Sequence, residues 1–239
     1  YKTGKRLNMK RIIPYIASQF RKDKIWLRRT KPSKRTYQIM VAIDNSKSMA
    51  ENPLNVELTF EAIALVTKAL TQLESGGLSI MKFGEASKEV IDFNTQFSNN
   101  KGEEIISEFN FKEEKTNVLN MVCESMKIFE KGKQEQTSQE ELWQLQIVLS
   151  DGVCEDHDTL VRLVRRCREK KIMLVFVIID CNNSKESIMD MSQVSYVNNK
   201  LTIKKYLDTF PFEYYVVVKD IKELPGMLSL ILRQYFAQT

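Results

Sequence analysis

The sequence is poor in the residues that build redox sites and soft-metal sites. Its four cysteines form no Cys-x-x-Cys pair, which argues against a zinc ribbon and against a disulfide framework. The single histidine, His157, is a poor ligand for a hard cation, and we expect it at the surface or at the start of a helix. The cysteines are therefore expected to be reduced side chains in a reducing compartment.

Long apolar runs are also missing. No stretch approaches the roughly 18 consecutive apolar residues that span a bilayer, and no signal-peptide pattern opens the sequence. We therefore expect an intracellular protein with no membrane partner. A chain of 239 residues with 43% apolar content can bury one substantial core, so one domain with appendages is favoured over two equal domains.

The sequence patterns of several enzyme classes are absent. There is no Gly-x-x-x-x-Gly-Lys-Ser/Thr phosphate loop and no Gly-x-Ser-x-Gly nucleophile elbow. A phosphatase of the haloacid-dehalogenase type would need a second aspartate two residues after Asp44, where this chain has Ser46. We therefore do not expect catalysis.

Acidic residues are scarce at one end of the chain. Residues 1–36 contain 13 lysines and arginines against the single acid Asp23, a local charge of +12, whereas the remaining residues sum to −7. We interpret residues 1–36 as a basic extension and residues 37–239 as the main domain. Because apolar residues interleave with the cations, we expect the extension to pack partly on the domain.

The densest basic run lies at the end of this extension. It is typical of a nuclear import signal or of a patch that contacts nucleic acid weakly, and a solvated linker is the alternative. Its cations are Arg28, Arg29, Lys31, Lys34 and Arg35.

From Gln38 onward, predicted strands and helices alternate. The aliphatic runs Ile39–Ile43, Ile172–Ile179 and Tyr214–Val218 predict strands covered on both faces, and Glu89–Phe93 predicts a short edge strand. Residues 192–211 fit no clear element and are predicted to be an inserted loop or hairpin. The alternation predicts an α/β fold with a doubly wound, mostly parallel sheet, helices on both faces and one short antiparallel edge strand.

Helical periodicity predicts the segments between these strands. Apolar spacing favours helices over Pro53–Leu73, Val118–Phe129, Asp158–Lys170 and Leu224–Phe236. The polar stretch Lys131–Glu141 is predicted to be a loop or a frayed helix end.

Oxygen-bearing side chains follow the first strand at alternate positions. Asp44, Ser46 and Ser48 supply one carboxylate and two hydroxyls, and Thr116 and Asp151 lie in two later loops. The carboxyl ends of parallel strands meet at one edge of a sheet, so these loops can converge. Hard cations such as Mg²⁺ prefer oxygen ligands, and turn-forming or helix-capping roles are the alternative for these residues.

The pattern Asp-x-Ser-x-Ser, then a distant threonine and a distant aspartate, resembles the von Willebrand factor A fold and its metal-ion-dependent adhesion site. The resemblance implies that Ser46 and Ser48 bind Mg²⁺ directly, with Mn²⁺ or Ca²⁺ as possible substitutes. Thr116 would bind directly or through water, as would Asp44 and Asp151. A glutamate or aspartate of a partner protein would complete the coordination.

Residues beside this cluster are predicted to form a rim that gives the partner its specificity. The rim consists of Asn45, Lys47, Asn117, Glu155 and Asp156.

The segments Lys10–Arg35, Tyr206–Tyr215 and Leu224–Phe236 are similar to those around the adhesion-site domain of giant dynein-like AAA ATPases of large ribosomal subunit assembly. This implies a gripping domain that binds ubiquitin-like domains of pre-ribosomal assembly factors and works with the rest of the ATPase chain on the pre-large-subunit particle. The expected location is the nucleus, in nucleolus and nucleoplasm. The alternatives are an adhesion module of another nuclear complex and a nucleic-acid-binding module acting through residues 1–36.

Overall fold

In a computed structural model, the protein is described at residues 6–27, 35–50, 76–95, 99–135, 141–180, 187–197 and 200–238, and at positions 56, 57, 60, 61 and 64. The chain divides into two compact units, Tyr1–Lys34 and Arg35–Thr239. Within the described residues, no helix has the length and apolar character needed to cross a membrane.

The first unit contains one short helix and two short strands that pair with each other. Strand β1 (Arg6–Leu7) pairs antiparallel with β2 (Trp26–Leu27), and helix α1 (Met9–Ala17) lies between them in sequence. None of the side chains of α1 is buried, and its apolar residues Met9 and Ile13 are exposed. The expected packing of residues 1–36 on the domain stays a prediction.

Only one cation of the basic run, Arg35, is described in the structure. Arg28, Arg29, Lys31 and Lys34 lie outside the described residues, and Arg35 is the first residue of the next strand.

The second unit contains a six-stranded sheet of order β10-β7-β6-β3-β4-β5. Its members are β3 (Arg35–Asp44), β4 (Gly76–Phe83), β5 (Ser87–Ile91), β6 (Glu141–Ser150), β7 (Ile172–Ile179) and β10 (Tyr214–Val218). All neighbours pair in parallel except β4 and the edge strand β5, which are antiparallel. The predicted fold class, a mostly parallel α/β sheet with one antiparallel edge strand, is confirmed.

Both faces of this sheet are covered, which explains why its strands lack polar alternation. On one face Ile39, Val41 and Ile43 pack with α2 (Asn99–Glu108) and α5 (Leu224–Gln238). On the other face Met40 and Ala42 pack with α3 (Val118–Glu135) and α4 (His157–Glu169).

Three regions refine the expected elements. Helix α3 continues to Glu135, beyond the predicted end at Phe129, and Lys131 pairs with Glu135 one turn later at 3.8 Å. Residues 192–205 form a hairpin of β8 (Ser192–Val197) and β9 (Lys200–Lys205). The helix predicted over residues 53–73 lies largely outside the described residues.

Candidate metal centre

The site is built where β3 and β6 end side by side. These strands pair in parallel up to Ile43 and Leu149, so Asp44 and Ser150 emerge at the same edge of the sheet, called here the carboxyl edge. The Ser150 hydroxyl donates a hydrogen bond to Asp44 Oδ2 at 2.6 Å. The two loops that follow these strands are thereby joined at their base.

Asp44 is the most deeply buried of the predicted ligands. Its side chain is fully buried, and its Oδ1 accepts the backbone N–H of Ser46 at 2.9 Å. Burial raises the pKa of this carboxyl from 3.8 to about 6, although the hydrogen bonds from Ser150 and Ser46 lower it. The fold therefore holds a carboxylate whose charge its neighbours compensate only in part.

The two serines link the buried Asp44 to Asp151, which lies nearer the surface. Ser46 and Ser48 place their Oγ atoms 3.0 Å apart, and Ser48 Oγ donates to Asp151 Oδ2 at 2.7 Å. Ser46 is buried, whereas Ser48 is exposed. One connected set of oxygens thus runs from Asp44 in the core to Asp151 near the surface.

Thr116 lies on the same cleft. Together with Ser48 and Asp151 it lines a depression of about 770 Å³ at the carboxyl edge. The backbone N–H of Asn117 donates to Gly84 O at 2.8 Å, which fixes the loop that carries Thr116. The structure therefore brings four of the predicted ligands into one network and places the fifth beside them.

The chemistry of this donor set suits a hard divalent cation. Asp44, Ser46, Ser48, Thr116 and Asp151 would hold it, and they offer only carboxylate and hydroxyl oxygens, as Mg²⁺ prefers. Among the residues described, no group of three histidines, cysteines, aspartates or glutamates could hold a metal ion, so a site here depends on the hydroxyl oxygens as well. A bound cation would supply positive charge beside the underpaired Asp44.

The rim prediction is wrong for Asn45. This side chain is fully buried, and its Oδ1 accepts the backbone N–H groups of Asn110 and Phe111 at 3.1 and 2.9 Å. Its Nδ2 donates to Asn110 Oδ1 and to Glu113 Oε1, both at 2.9 Å. The Asn45 side chain therefore stabilises the loop of Asn110 and Glu113 from the interior, and it cannot contact a partner.

The other rim positions face solvent. Lys47 is exposed, and three further rim residues line the cleft of Thr116: Asn117, Glu155 and Asp156.

Glu113 is a structural residue of the site that no sequence pattern singles out. Besides Asn45, its carboxylate accepts the backbone N–H of Glu85 at 2.6 Å, and its carbonyl accepts the N–H of Lys47 at 2.8 Å. A Cβ at Gly84 would overlap this carboxylate, so a larger residue there would displace Glu113 from these hydrogen bonds. Glu113 thereby joins three loops of the carboxyl edge.

Tyr206, just after the hairpin, was also missed. The N–H of Cys154 donates to its hydroxyl oxygen at 2.8 Å, and the hydroxyl donates to Gly152 O at 3.0 Å. His157 Nε2 lies 3.2 Å from the same oxygen. The first residue after the hairpin is thus tied to the loop that carries Asp151, and His157 belongs to this support.

Comparisons with known proteins agree with this geometry. A family model described as the von Willebrand factor type A domain matches residues 38–207. Midasin of Dictyostelium discoideum is 42% identical over 240 aligned residues, covering 100% of this chain and 4% of that protein. Midasin of Giardia intestinalis is 35% identical, covering 98% of this chain and 5% of that protein. The chain thus spans about one twentieth of these relatives.

A solved structure shares the fold. Proximal thread matrix protein 1 of the mussel byssus, determined with a zinc-occupied MIDAS motif, superposes with a TM-score of 0.53 at 13% sequence identity. The match covers 84% of this chain and 46% of that one.

Proposed function

This chain belongs to the von Willebrand factor type A domain family, and we propose that it is a binding module whose divalent cation is shared with a carboxylate of a partner protein. The observation that carries the proposal is the oxygen-only cluster around the fully buried Asp44, which opens through Ser48 and Asp151 onto a cleft. Only two of its five predicted ligands are anionic, so a cation held there would attract a further carboxylate.

The cation proposed is Mg²⁺. Carboxylate, hydroxyl and water oxygens are its usual ligands, and Mn²⁺ and Ca²⁺ share this preference. The mussel protein that shares this fold holds zinc in its MIDAS motif, which supports a divalent ion in this chain.

The partner proposed is a ubiquitin-like domain of a pre-ribosomal assembly factor. Support comes from the similarity to midasin along the full chain and from the flanking segments that resemble the adhesion-site domain of that ATPase family. In this role the domain grips the factor while the rest of a longer ATPase chain pulls, and the factor leaves the pre-large-subunit particle. Removing a carboxylate from such a desolvated ionic contact costs about 2–5 kcal/mol of binding free energy, enough to make binding depend on it.

Calorimetry with purified ubiquitin-like domains tests the proposal. Binding should occur in Mg²⁺, disappear in EDTA, and disappear when one acidic residue of the ubiquitin-like domain is replaced by alanine. Asp44→Ala should abolish it as well, whereas Asp190→Ala removes an exposed carboxylate elsewhere and should leave it unchanged. Binding that persists in EDTA would contradict the proposal that a divalent cation is shared with the partner.

The same experiment separates the nucleic-acid alternative. Contacts of residues 1–36 with phosphates would weaken steeply with added salt and would ignore EDTA. Tight binding of ribosomal RNA at physiological salt would favour that alternative.

We also propose a nuclear location, supported by the basic run that ends the extension. A fluorescent fusion should accumulate in nuclei, and replacing Arg28, Arg29, Lys34 and Arg35 should reduce this accumulation. An unchanged nuclear signal in the variant would contradict the assignment.

A further inference from the structure

A second cleft lies at the opposite edge of the sheet, where β6, β7 and β10 begin. We call it the amino-edge cleft, and it has a volume of about 400 Å³. Its apolar lining includes Trp143, Met173, Tyr214 and Tyr235. None of these residues belongs to the metal site, and a volume of this size is typical of pockets that take a small molecule or a few side chains.

Two buried polar atoms of this cleft have no hydrogen-bond partner within the described part of the chain. They are the indole N–H of Trp143 and the hydroxyl of Tyr235. Burial also raises the pKa of the Tyr235 hydroxyl, so it stays protonated and available as a donor. Buried polar groups are nearly always paired, and two unpaired donors at one cleft indicate that a ligand with acceptor oxygens belongs there.

The charged residues that line the cleft are two cations and one acid, Glu213. Arg168 and Lys171 line it at the end of α4, and Arg165 and Arg166 precede them on the same helix. Arg168 already pairs with Glu213 at 2.8 Å, whereas Lys171 is exposed and forms no ion pair with any described residue. This cationic end contrasts with residues 37–239 as a whole, whose net charge is −7.

We propose that the amino-edge cleft binds a protein segment in which a large apolar side chain stands next to acidic residues. The apolar side chain packs against Trp143 and Tyr214, and the carboxylates reach Lys171 and Arg165. Both donors are buried in the free chain, so the Trp143 and Tyr235 side chains rotate on binding and then donate hydrogen bonds to oxygens of the segment. Binding at this cleft needs no metal ion, so it is independent of the proposed function.

A peptide segment fits better than RNA. A strand of RNA is bound mainly through its phosphates, by an open track of cations with aromatic platforms. Here the lining is mostly apolar, and one of the two lining cations is already paired with Glu213.

Selection from a displayed random-peptide library tests the proposal. The whole chain is immobilised in EDTA, so that the metal site binds no cation. The enriched peptides should combine an aromatic or aliphatic residue with neighbouring aspartates or glutamates. The chain has two tryptophans, so the variant Trp26→Phe leaves Trp143 as the only tryptophan. The emission of Trp143 should then shift when a selected peptide is added.

Charge reversal supplies the matched control. Lys171→Glu should weaken the selected peptides about tenfold or more, as expected for a lost charge pair. Lys219→Glu makes the same charge change at an exposed position beyond the end of β10 and should have little effect. Tyr235→Phe should weaken binding several-fold without lowering the unfolding temperature.

Three outcomes would overturn the assignment. One is the absence of any enriched class of peptides. Another is equal binding by the Lys171→Glu and Lys219→Glu variants. The third is a single-stranded RNA oligonucleotide that shifts the Trp143 emission where the peptides do not, which would assign the cleft to nucleic acid.

Discussion

At the carboxyl edge of the sheet, the polar side chains bond to one another, whereas at the amino edge two buried donors bond to no described residue. Ser150 reaches Asp44, and Ser48 reaches Asp151, so the hydrogen bonds of the metal site are made and only the charge of Asp44 is underpaired. At the amino-edge cleft, Trp143 and Tyr235 lack hydrogen bonds instead. The two edges are thus incomplete in different ways, and each deficit indicates a different ligand.

The largest expected effect comes from removing the buried charge. Asp44→Asn should abolish Mg²⁺ binding, because an amide cannot replace the anionic ligand. It should also stabilise the metal-free domain by about 3 kcal/mol at neutral pH, the cost that corresponds to the raised pKa of Asp44. Calorimetry and urea unfolding in EDTA measure the two effects, and a variant that still binds Mg²⁺ would remove Asp44 from the ligand set.

The second prediction is the pH dependence of this difference. The pKa of Asp44 is raised to about 6 in the fold, so the folded chain holds this proton more tightly than the unfolded chain. In EDTA, the stability of the wild type relative to Asp44→Asn should therefore rise as the pH falls from about 6 to about 4. Mg²⁺ affinity should fall over the same range as protons compete. A stability difference that does not change with pH would contradict the underpaired charge.

The third prediction concerns the support of the metal loops. Gly84→Ala should destabilise the domain by about 1–3 kcal/mol, because the new Cβ overlaps the carboxylate of Glu113. Gly102→Ala is the matched control, since its Cβ meets open space in helix α2, and it should stabilise by about 0.5–1 kcal/mol. Urea unfolding of both variants measures the contrast. Equal effects would show that the Glu113 side chain can move away from the new Cβ at little cost in stability.

The fourth prediction compares the loss of one hydroxyl at each edge. Tyr206→Phe leaves the backbone groups of Gly152 and Cys154 unpaired and should cost about 1–3 kcal/mol. It should also weaken metal binding, because the loop of Asp151 loses its anchor. Tyr235→Phe removes a hydroxyl without a described partner and should stabilise by up to about 1 kcal/mol. If both variants shift the unfolding temperature in the same direction, the proposed difference between the two edges is contradicted.

The sequence predicts the sheet well because buried parallel strands are long aliphatic runs. The predicted strands Ile172–Ile179 and Tyr214–Val218 coincide with β7 and β10. It also predicts that Asp44, Ser46 and Ser48 come together, since they follow a strand at fixed spacing; that they bind a metal ion stays a prediction. Residues 192–205 were harder to assign, because a polar hairpin outside the main sheet has no aliphatic run to mark it.

The supports of the site could not be predicted, because their contacts join residues far apart in sequence. Glu113 and Tyr206 act on loops more than 50 residues away or across several elements, and no local pattern distinguishes them. Asn45 was misplaced for a related reason. Its position beside the ligands suggested exposure, but its partners at Asn110 and Phe111 draw its side chain inward.

The most direct measurement of the central claim is a Mn²⁺ titration followed by NMR of the labelled chain. A paramagnetic ion should broaden the amide signals around Asp44–Ser48, Thr116 and Asp151 first, leave the indole signal of Trp143 sharp, and be displaced by excess Mg²⁺. The same titration of Asp44→Asn should broaden none of these signals selectively. Selective broadening elsewhere in the wild type, or none at all, would contradict a metal site at the carboxyl edge.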